Sequence, residues 1–237
     1  PWKPDRTIEI LAPTGAGGGN DKTARLLGKL LQEKGIGNVV VNKTGAAGAI
    51  AYHAIIQRRS DPYTIGIAQA GLLSNQITGR SPFGYADLTI LANVGFEPSS
   101  LAVRPDAPLK DARTLFESLR KDPKAYSVSI GSTPGGTSHL VLGCAVRSLG
   151  IDPKQLKTVA FNGSAEAVTA VLGGHIDAMI AAINNIVPHQ QSGKMRALFV
   201  TSDSRLDEAF SEVPTLRESG VDVVGMEWTA INAPPRL

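Results

Sequence analysis

The sequence predicts an α/β fold arranged in two lobes. Short apolar strands alternate with amphipathic helices along most of the chain, which is typical of helices packed on a parallel sheet. Aromatic residues make up only 5% of the chain, whereas there are 25 glycines and 15 prolines. This composition indicates an aliphatic core and many tight turns. The 237 residues suffice for one large domain or two small ones.

Composition also excludes several classes of protein. The net charge is only +3, with no basic block beyond Gln57-Arg58-Arg59, so we expect no nucleic-acid partner. A single cysteine, Cys144, excludes an intramolecular disulfide and a cysteine-based metal site. No apolar run approaches the roughly 20 residues that span a bilayer. The chain starts at Pro1 without a signal peptide, as we expect of a processed secreted protein or of a trimmed chain.

The first lobe opens with a strand, a loop and a helix. The strand is predicted over residues 7–12, between Pro4 and Pro13, because it is apolar and rich in β-branched residues. The helix is predicted to begin at Asn20 as its N-cap and to end at Gly35. The elements that follow are a strand at 39–41, a turn at 44–48, a helix at 49–58 and a strand at 64–68.

The pattern changes between Leu88 and Val103, where Pro98-Ser99-Ser100 predicts a turn between two short apolar segments and no helix intervenes. We interpret this segment as a crossing between lobes. The second lobe is predicted to contain helices at 111–121, 138–149 and 165–172 and strands at 127–130, 157–161, 176–181 and 196–201.

A helical turn at 214–220 and return strands at 221–224 and 228–232 complete the prediction. We therefore assign residues 1–98 and 222–237 to lobe 1 and residues 99–221 to lobe 2. Two lobes joined by a double crossing predict a ligand cleft between them.

The most informative motif is the glycine-rich stretch from Pro13 to Asp21, which lies between a strand and a helix. Such a backbone lets several N–H groups converge at a helix N-terminus, where an anion is favoured. A dinucleotide fingerprint over Gly15–Gly19 fits poorly, because Asn20 replaces its third glycine and the second strand ends in Asn42 instead of an acid. A P-loop is excluded, since no Gly-Lys-Ser/Thr follows. A compact anion such as a carboxylate, or a purely structural turn, remains.

Further polar loops follow other predicted strands, at the sheet edge where α/β proteins place their ligands. Each serine or threonine alone is more often a helix cap than a ligand contact. Their recurrence at one edge favours a shared site. These loops are residues 68–71, 131–138, 162–164 and 182–185.

No catalytic constellation is found in the sequence. The four histidines lack metal-ligand spacing, although His139, one turn into its helix, could face the cleft as a hydrogen-bond donor. No Gly-x-Ser-x-Gly elbow occurs. Asp21 and Glu166 fall in first turns of helices, where they compensate the helix dipole. We therefore expect binding without catalysis, with no cofactor and no metal.

Taken together, the motifs resemble those of one receptor family. Gly17-Gly18-Gly19-Asn20-Asp21, Asn42-Lys43-Thr44-Gly45-Ala46-Ala47-Gly48 and Gly131-Ser132-Thr133-Pro134-Gly135-Gly136-Thr137-Ser138-His139 occur in the order seen in the Bug (TctC-like) family. These are the periplasmic receptors of tripartite tricarboxylate transporters, and the resemblance covers essentially the whole chain. The family commonly continues for several dozen residues beyond the segment matched by Trp228–Pro235, so the resemblance implies an incomplete lobe 1.

The resemblance implies a type II periplasmic binding protein that closes, like a flytrap, on a small mono- or dicarboxylate. It implies a monomer in the periplasm whose partners are the membrane components of a transporter or a sensor kinase. An α/β oxidoreductase with a dinucleotide at Gly15–Gly19, and an interaction protein with an empty cleft, are the alternatives.

The resemblance also implies a set of ligand-binding residues, in which backbone N–H groups and hydroxyls hold the carboxylate and Asn185 contacts its far end. From lobe 1 they are Ala16, Gly17, Gly18, Asp21, Ala68, Gln69, Ala70 and Gly71. From lobe 2 they are Ser132, Thr133, Thr137, Ser138, His139, Asn162, Ala165 and Asn185.

Overall fold

The computed structural model describes residues 3–131, 134–161 and 163–237, which divide into two compact units. Unit 1 comprises Pro1–Phe96 and Trp228–Leu237, and unit 2 comprises Glu97–Glu227. The strands are β1 (Ile8–Ala12), β2 (Asn38–Asn42), β3 (Thr64–Ala68), β4 (Thr89–Val103), β5 (Ser127–Ser129), β6 (Lys157–Val159), β7 (Ala178–Ala182), β8 (Arg196–Val200) and β9 (Met226–Ala233). The helices are α1 (Gly19–Glu33), α2 (Ala49–Ile56), α3 (Gly71–Ile77), α4 (Ala112–Lys121), α5 (Thr137–Ser148), α6 (Ser164–Leu172) and α7 (Val187–Gln191).

Unit 1 is built on a sheet in the order β2-β1-β3-β9. The first three strands are parallel, and β9 runs antiparallel to β3. Successive residues of β1 face opposite sides of the sheet. Ile10 packs with Ala24 of α1 on one side, while Leu11 packs with Ile55 of α2 and Leu72 of α3 on the other. Both faces of the sheet are therefore covered by helices, as parallel strands require.

Unit 2 repeats this layering. Strand β5 pairs in parallel with β6 and β7, while β4 is antiparallel to both β7 and β8. Along β7, Ile180 packs in one apolar cluster with Leu142 of α5, and Met179 packs in a second cluster with Val171 of α6. Strand β7 is fully buried, so its sequence reads as a continuous apolar run. Strands β4 and β9 carry the chain from one unit to the other.

The α/β class predicted from the sequence is confirmed, but the sheets are mixed instead of wholly parallel. The predicted turn at Pro98-Ser99-Ser100 is wrong, because β4 continues through it. Ser99 and Ser100 are completely buried, and distant groups satisfy them: the Ser99 N–H donates to Thr201 Oγ1 and the Ser100 hydroxyl donates to the Phe199 carbonyl. Polar residues that suggest a turn are here part of the sheet.

Three further local predictions need correction. Gly18, not Asn20, is the N-cap of α1, because the glycine loop itself supplies the extended cap conformation. Residues 221–224 form no strand in the structure, and residues 214–220 form no helix: Thr215 makes an isolated bridge to Val200 and residues 216–220 form turns. Helices α3 and α7 were not predicted: α3 follows β3 after only two residues, and α7 has only five residues.

The structure locates the single cysteine and bears on whether a helix could span a membrane. Cys144 lies on α5, and its side chain is exposed. Within the described parts of the chain, no helix combines the length and apolar character that a membrane span needs.

We predict that Gly66→Ala destabilises unit 1. A Cβ atom at this position of β3 would lie 2.3 Å from Ile55 Cδ1 and 2.7 Å from Asn232 Oδ1. Overpacking of this kind costs about 1–3 kcal/mol, measurable by urea denaturation followed by circular dichroism. Gly95→Ala is the matched control, because a Cβ there meets no atom within 4 Å. Equal losses in the two variants would contradict the tight packing at Gly66.

Candidate functional site

The first glycine loop connects β1 to α1 and presents backbone N–H groups at the start of the helix. Gly17 has a φ of +77°, a conformation that glycine adopts readily, and Gly18 is the extended N-cap. The N–H of Gly18 donates to the carbonyl of Gly15, and Lys22 makes the first intrahelical bond to Gly18. The N–H groups between these residues belong to the first turn, which carries partial positive charge. The loop can therefore accept an anion.

The carboxylate of Asp21 stabilises this loop through hydrogen bonds. Its side chain is only 2% exposed and accepts hydrogen bonds from Gly17 N–H at 2.8 Å, Arg25 Nε at 2.9 Å and Asn42 Nδ2 at 2.9 Å. Asn42 also donates to the carbonyl of Thr14 at 2.8 Å. Burial raises the pKa of Asp21, but the bonds from Arg25, Gly17 and Asn42 together hold it below its ordinary value. Asp21 thus remains ionised and joins the loop, α1 and β2.

Two polar atoms of the same loop lack a partner. Thr14 and Asn20 are 4% and 3% exposed, and neither Thr14 Oγ1 nor Asn20 Nδ2 makes a hydrogen bond within the described structure. Buried polar atoms normally have a partner, either in the protein or in ordered water. A side chain at Gly18 would meet Thr14 Oγ1 and the Gly15 carbonyl at 3.0 Å. A side chain at Gly18 would therefore require Thr14 or the Gly15 carbonyl to shift.

The predicted site residues at 68–71 lie at the same edge of the sheet as the first loop. They follow β3, which is parallel and adjacent to β1, so the carboxyl ends of both strands meet. Ala68 is the last residue of β3, Gln69 N–H donates to the Tyr52 hydroxyl at 3.4 Å, and Gly71 begins α3. Burial raises the pKa of Tyr52, although the bond from Gln69 opposes this effect. Within unit 1, the structure brings the predicted residues together at one edge.

A second glycine loop in unit 2 has the backbone conformation of the first. Gly135 has a φ of +83°, and the N-cap of α5, Gly136, has φ −70° and ψ 169°. The corresponding values in the first loop are +77° at Gly17 and −72° and 166° at Gly18. Each unit therefore presents a helix N-terminus through the same local turn.

The side chain that braces the second loop is His139. The N–H of Gly135 donates to its Nδ1 at 3.0 Å, just as Gly17 donates to Asp21, also four residues further along. A ring nitrogen that accepts a hydrogen bond carries no proton. The sequence analysis considered His139 as a donor facing a cleft. The structure instead gives its Nδ1 the role of an acceptor within its own loop.

Ser138, in the first turn of α5, contacts an acid that the sequence analysis missed. Ser138 is 5% exposed, and its hydroxyl donates to Glu227 Oε1. The Ser99 hydroxyl lies 2.9 Å from Ser138 Oγ and donates to Glu227 Oε1 at 3.3 Å. Burial raises the pKa of Glu227, and these bonds only partly oppose it.

Three more predicted residues of unit 2, Thr137, Ala165 and Asn185, lie in loops or first turns after β5, β6 and β7. These strands are parallel neighbours, so their carboxyl ends form one edge. Thr137 is half-buried, Ala165 is exposed in the first turn of α6, and Asn185 is buried, with Nδ2 donating to the Ala182 carbonyl at 3.3 Å. The predicted contacts Ser132, Thr133 and Asn162 lie outside the described residues.

The chemistry of these loops suits an anion held by neutral dipoles. No group of three His, Cys, Asp or Glu side chains in the described ranges could hold a metal ion. A dinucleotide would need an acid at the end of β2 for its ribose, but that residue is Asn42, whose amide donates to Thr14 and Asp21. This contact disfavours the oxidoreductase alternative.

We predict that Asp21→Asn destabilises the protein by about 1–3 kcal/mol at pH 7, because a buried acceptor of three hydrogen bonds loses its charge. The pKa of Asp21 is lower in the folded chain than in the unfolded chain. Its stabilising contribution is therefore present above about pH 4, the ordinary aspartate range, and is lost as the pH falls through the folded-state pKa.

Denaturation of both proteins between pH 2 and pH 7 tests this prediction. The difference in unfolding free energy between wild type and Asp21→Asn should shrink on acidification. Glu33→Gln, on the exposed surface of α1, is the control and should change the free energy by less than about 0.5 kcal/mol. A difference that stays constant down to pH 2 would show that the ionised carboxylate is not the stabilising group.

Comparison with known proteins identifies one family that matches most of the chain. A family profile described as "Tripartite tricarboxylate transporter family receptor" matches residues 24–237. The curated protein BugT of Bordetella pertussis is 28% identical over 237 residues, which cover 98% of this chain and 71% of BugT.

Two solved structures superimpose on nearly the whole chain. MatC (Rpa3494) from Rhodopseudomonas palustris with bound malate gives a TM-score of 0.87 at 26% identity and covers 99% of this chain and 80% of its own. Rpa4515 of R. palustris with adipate gives a TM-score of 0.87 at 26% identity and covers 98% of this chain and 78% of its own. The α/β fold of periplasmic solute-binding proteins, expected from the sequence, is thereby confirmed. Because the profile spans most of its length, this chain belongs to the tripartite tricarboxylate transporter receptor family, the Bug or TctC-like solute-binding proteins.

Proposed function

We propose that this protein is a periplasmic receptor that captures a small organic mono- or dicarboxylate and delivers it to the membrane components of a tripartite tricarboxylate transporter. The observation that carries the proposal is the pair of glycine loops. Each unit offers a helix N-terminus through the same Gly-Gly turn, and each turn is braced by a side chain four residues further along. Membership in a family of solute receptors supports the assignment.

Fixed dipoles suffice to hold a carboxylate at such loops. Backbone N–H groups and hydroxyls at a helix N-terminus stabilise a negative charge, and they act more strongly where water is excluded. Arg25, one turn into α1 from the first loop, is engaged by Asp21. Because local dipoles hold the carboxylate, the net charge of +3 is not important for binding the ligand.

The ligand class is inferred from chemistry and from relatives together. The solved relatives named above carry malate and adipate, both of which are dicarboxylates. We propose that residues predicted from the sequence contact such a ligand, among them Gly71 in unit 1 and Thr137 and Asn185 in unit 2. The N–H groups of Gly17 and Gly18, which are also predicted contacts, donate to Asp21 and to the Gly15 carbonyl, so we propose that the first loop contributes the N–H groups of the helical turn that follows them. Asp21 and His139 then act by holding the two loops in shape.

The proposed mode of action is reversible binding by a monomer, followed by transfer to the transporter. Reporting to a sensor kinase would use the same binding step. We favour transport because the matching family profile is that of transporter receptors. Periplasmic location is proposed on the same basis.

Titration calorimetry tests the proposed function. A panel of mono- and dicarboxylates, amino acids and aromatic acids is titrated into the protein at pH 7.5, with sulfate and NAD as comparison ligands. We expect micromolar or tighter binding of at least one carboxylate and none of NAD. Saturable binding of NAD, or no binding of any carboxylate, would contradict the proposal.

We predict that Thr137→Val weakens binding of the best carboxylate by about tenfold, because a hydrogen bond to a charged group is worth roughly 1.5 kcal/mol. Thr169→Val is the matched control on α6, where the threonine hydroxyl donates to the Ala165 carbonyl. Affinity is measured by calorimetry and stability by thermal melting. The contact is refuted if Thr137→Val lowers the melting temperature but leaves the affinity unchanged.

A further inference from the structure

The strands of unit 2 bring several connecting segments to one edge of its sheet. Strands β8, β4, β7, β5 and β6 are neighbours in that order. Val103, the last residue of β4, pairs with Ala178 at the start of β7 and with Arg196 at the start of β8. Ser127 at the start of β5 pairs with Lys157 at the start of β6. We call this line of strand ends the amino edge of unit 2; the candidate ligand loops follow the opposite ends of β5, β6 and β7.

Basic residues are concentrated at the amino edge. The segments that enter or leave the strands there contain ten lysines and arginines, five aspartates and no glutamate, a net charge of +5. The rest of unit 2 contains three basic and ten acidic residues, a net charge of −7. Unit 2 is therefore electrically polarised, although the whole chain carries only +3. The segments of the amino edge are residues 104–111, 120–126, 147–157, 173–177 and 192–196.

Most of these cations have no acidic partner. Arg104 forms an ion pair with Asp106. Arg120 donates to the Leu149 carbonyl, and Arg196 donates to the backbone carbonyls of the 107–110 segment. The other seven form no ion pair within the described residues, and all seven are exposed to solvent: Lys110, Lys121, Lys124, Arg147, Lys154, Lys157 and Lys194. Their charges are therefore available to an external anion.

We propose that the amino edge of unit 2 is a docking surface for an anionic phospholipid bilayer. Lysine and arginine side chains close to such a surface are attracted by the negative potential of its headgroups. The five neighbouring strands spread the cations over about 19 Å, at a strand spacing of about 4.8 Å. A row of this width matches an extended array of lipid phosphates better than one small anion.

The distribution of apolar residues favours lipid headgroups over an acidic protein. Protein interfaces usually have an apolar core rich in aromatic residues. In the described part of unit 2, the large apolar side chains that are exposed are Leu140, Val224 and Met226, and all three lie outside the segments of the amino edge. The amino edge thus offers charge without an apolar core, which suits a purely electrostatic contact.

Docking through the amino edge would leave the candidate ligand loops of unit 2 accessible. These loops lie at the carboxyl ends of the strands, so the residues that face the bilayer and those that bind the ligand are separate. The attraction acts only within about a Debye length of the surface and weakens with salt, so the docking is reversible. The inference concerns a second surface and does not depend on the ligand proposed above.

Vesicle co-sedimentation at pH 7.5 tests the proposal. The wild-type protein is mixed with vesicles of phosphatidylcholine alone, or of phosphatidylethanolamine containing about 30% phosphatidylglycerol, at about 0.05 M and about 0.3 M NaCl. We expect binding to the anionic vesicles at low salt, at least tenfold weaker binding at high salt, and none to phosphatidylcholine. Soluble polyglutamate is titrated separately as an acidic protein mimic.

Charge reversal locates the surface. A combined Lys154→Glu, Lys157→Glu and Lys194→Glu variant should bind the anionic vesicles at least tenfold more weakly than wild type. The matched control is a combined Lys3→Glu, Lys29→Glu and Lys34→Glu variant, which changes the net charge equally through exposed lysines of unit 1 and should retain most of the binding. Carboxylate affinity, measured by calorimetry, should stay within twofold of wild type in both variants.

Three results would overturn the proposal. The first is a wild-type protein that does not bind the anionic vesicles or binds both vesicle types equally, an outcome that needs no variant to fold. The second is an equal loss of vesicle binding in the two triple variants, which would assign the effect to net charge. The third is binding of polyglutamate without binding of vesicles, which would indicate an acidic protein partner.

Discussion

The buried carboxylate of Asp21 is the interaction on which the first glycine loop depends. It joins Gly17 in the loop, Arg25 on α1 and Asn42 at the end of β2. A Gly-rich turn is flexible when isolated, and these bonds fix its N–H groups before any ligand arrives. Preorganisation of this kind reduces the entropy lost on binding. In unit 2 the same turn is fixed by His139, so one backbone design is stabilised by two different side-chain chemistries.

The sequence predicts most elements because their patterns are local. Strand β3 coincides with its predicted range, and β1, α1 and α6 differ from theirs by one or two residues. The errors arise where distant groups decide the conformation. Ser99 and Ser100 lie in a strand because Thr201 and Phe199, about a hundred residues away, satisfy their polar groups. No local pattern contains that information, and the same limit applies to the direction of β9 relative to β3.

The sequence predicts those parts of the candidate site that consist of glycine loops and strand ends. Both loops, and the edge at which they lie within each unit, follow from alternation of strands and helices. The contact of Glu227 with the N-terminus of α5 could not be predicted from the sequence, because it is made with Ser138, 89 residues earlier in the chain. An acid beside a predicted strand is usually a solvated residue, and only its tertiary contacts show that it lies at a helix N-terminus. Likewise, Asp21 appeared as a dipole partner until its bonds to Gly17 and Asn42 were seen.

The position of Cys144 has a practical consequence. It is the only cysteine in the sequence, and it is exposed on α5, the helix whose first turn carries Thr137, Ser138 and His139. Seven residues of helix place it about 10 Å along the axis from Thr137. An accessible thiol reacts selectively with maleimide dyes. The native chain therefore offers one attachment point for an environment-sensitive fluorophore, and occupancy of the loop can be read optically without introducing or removing any cysteine.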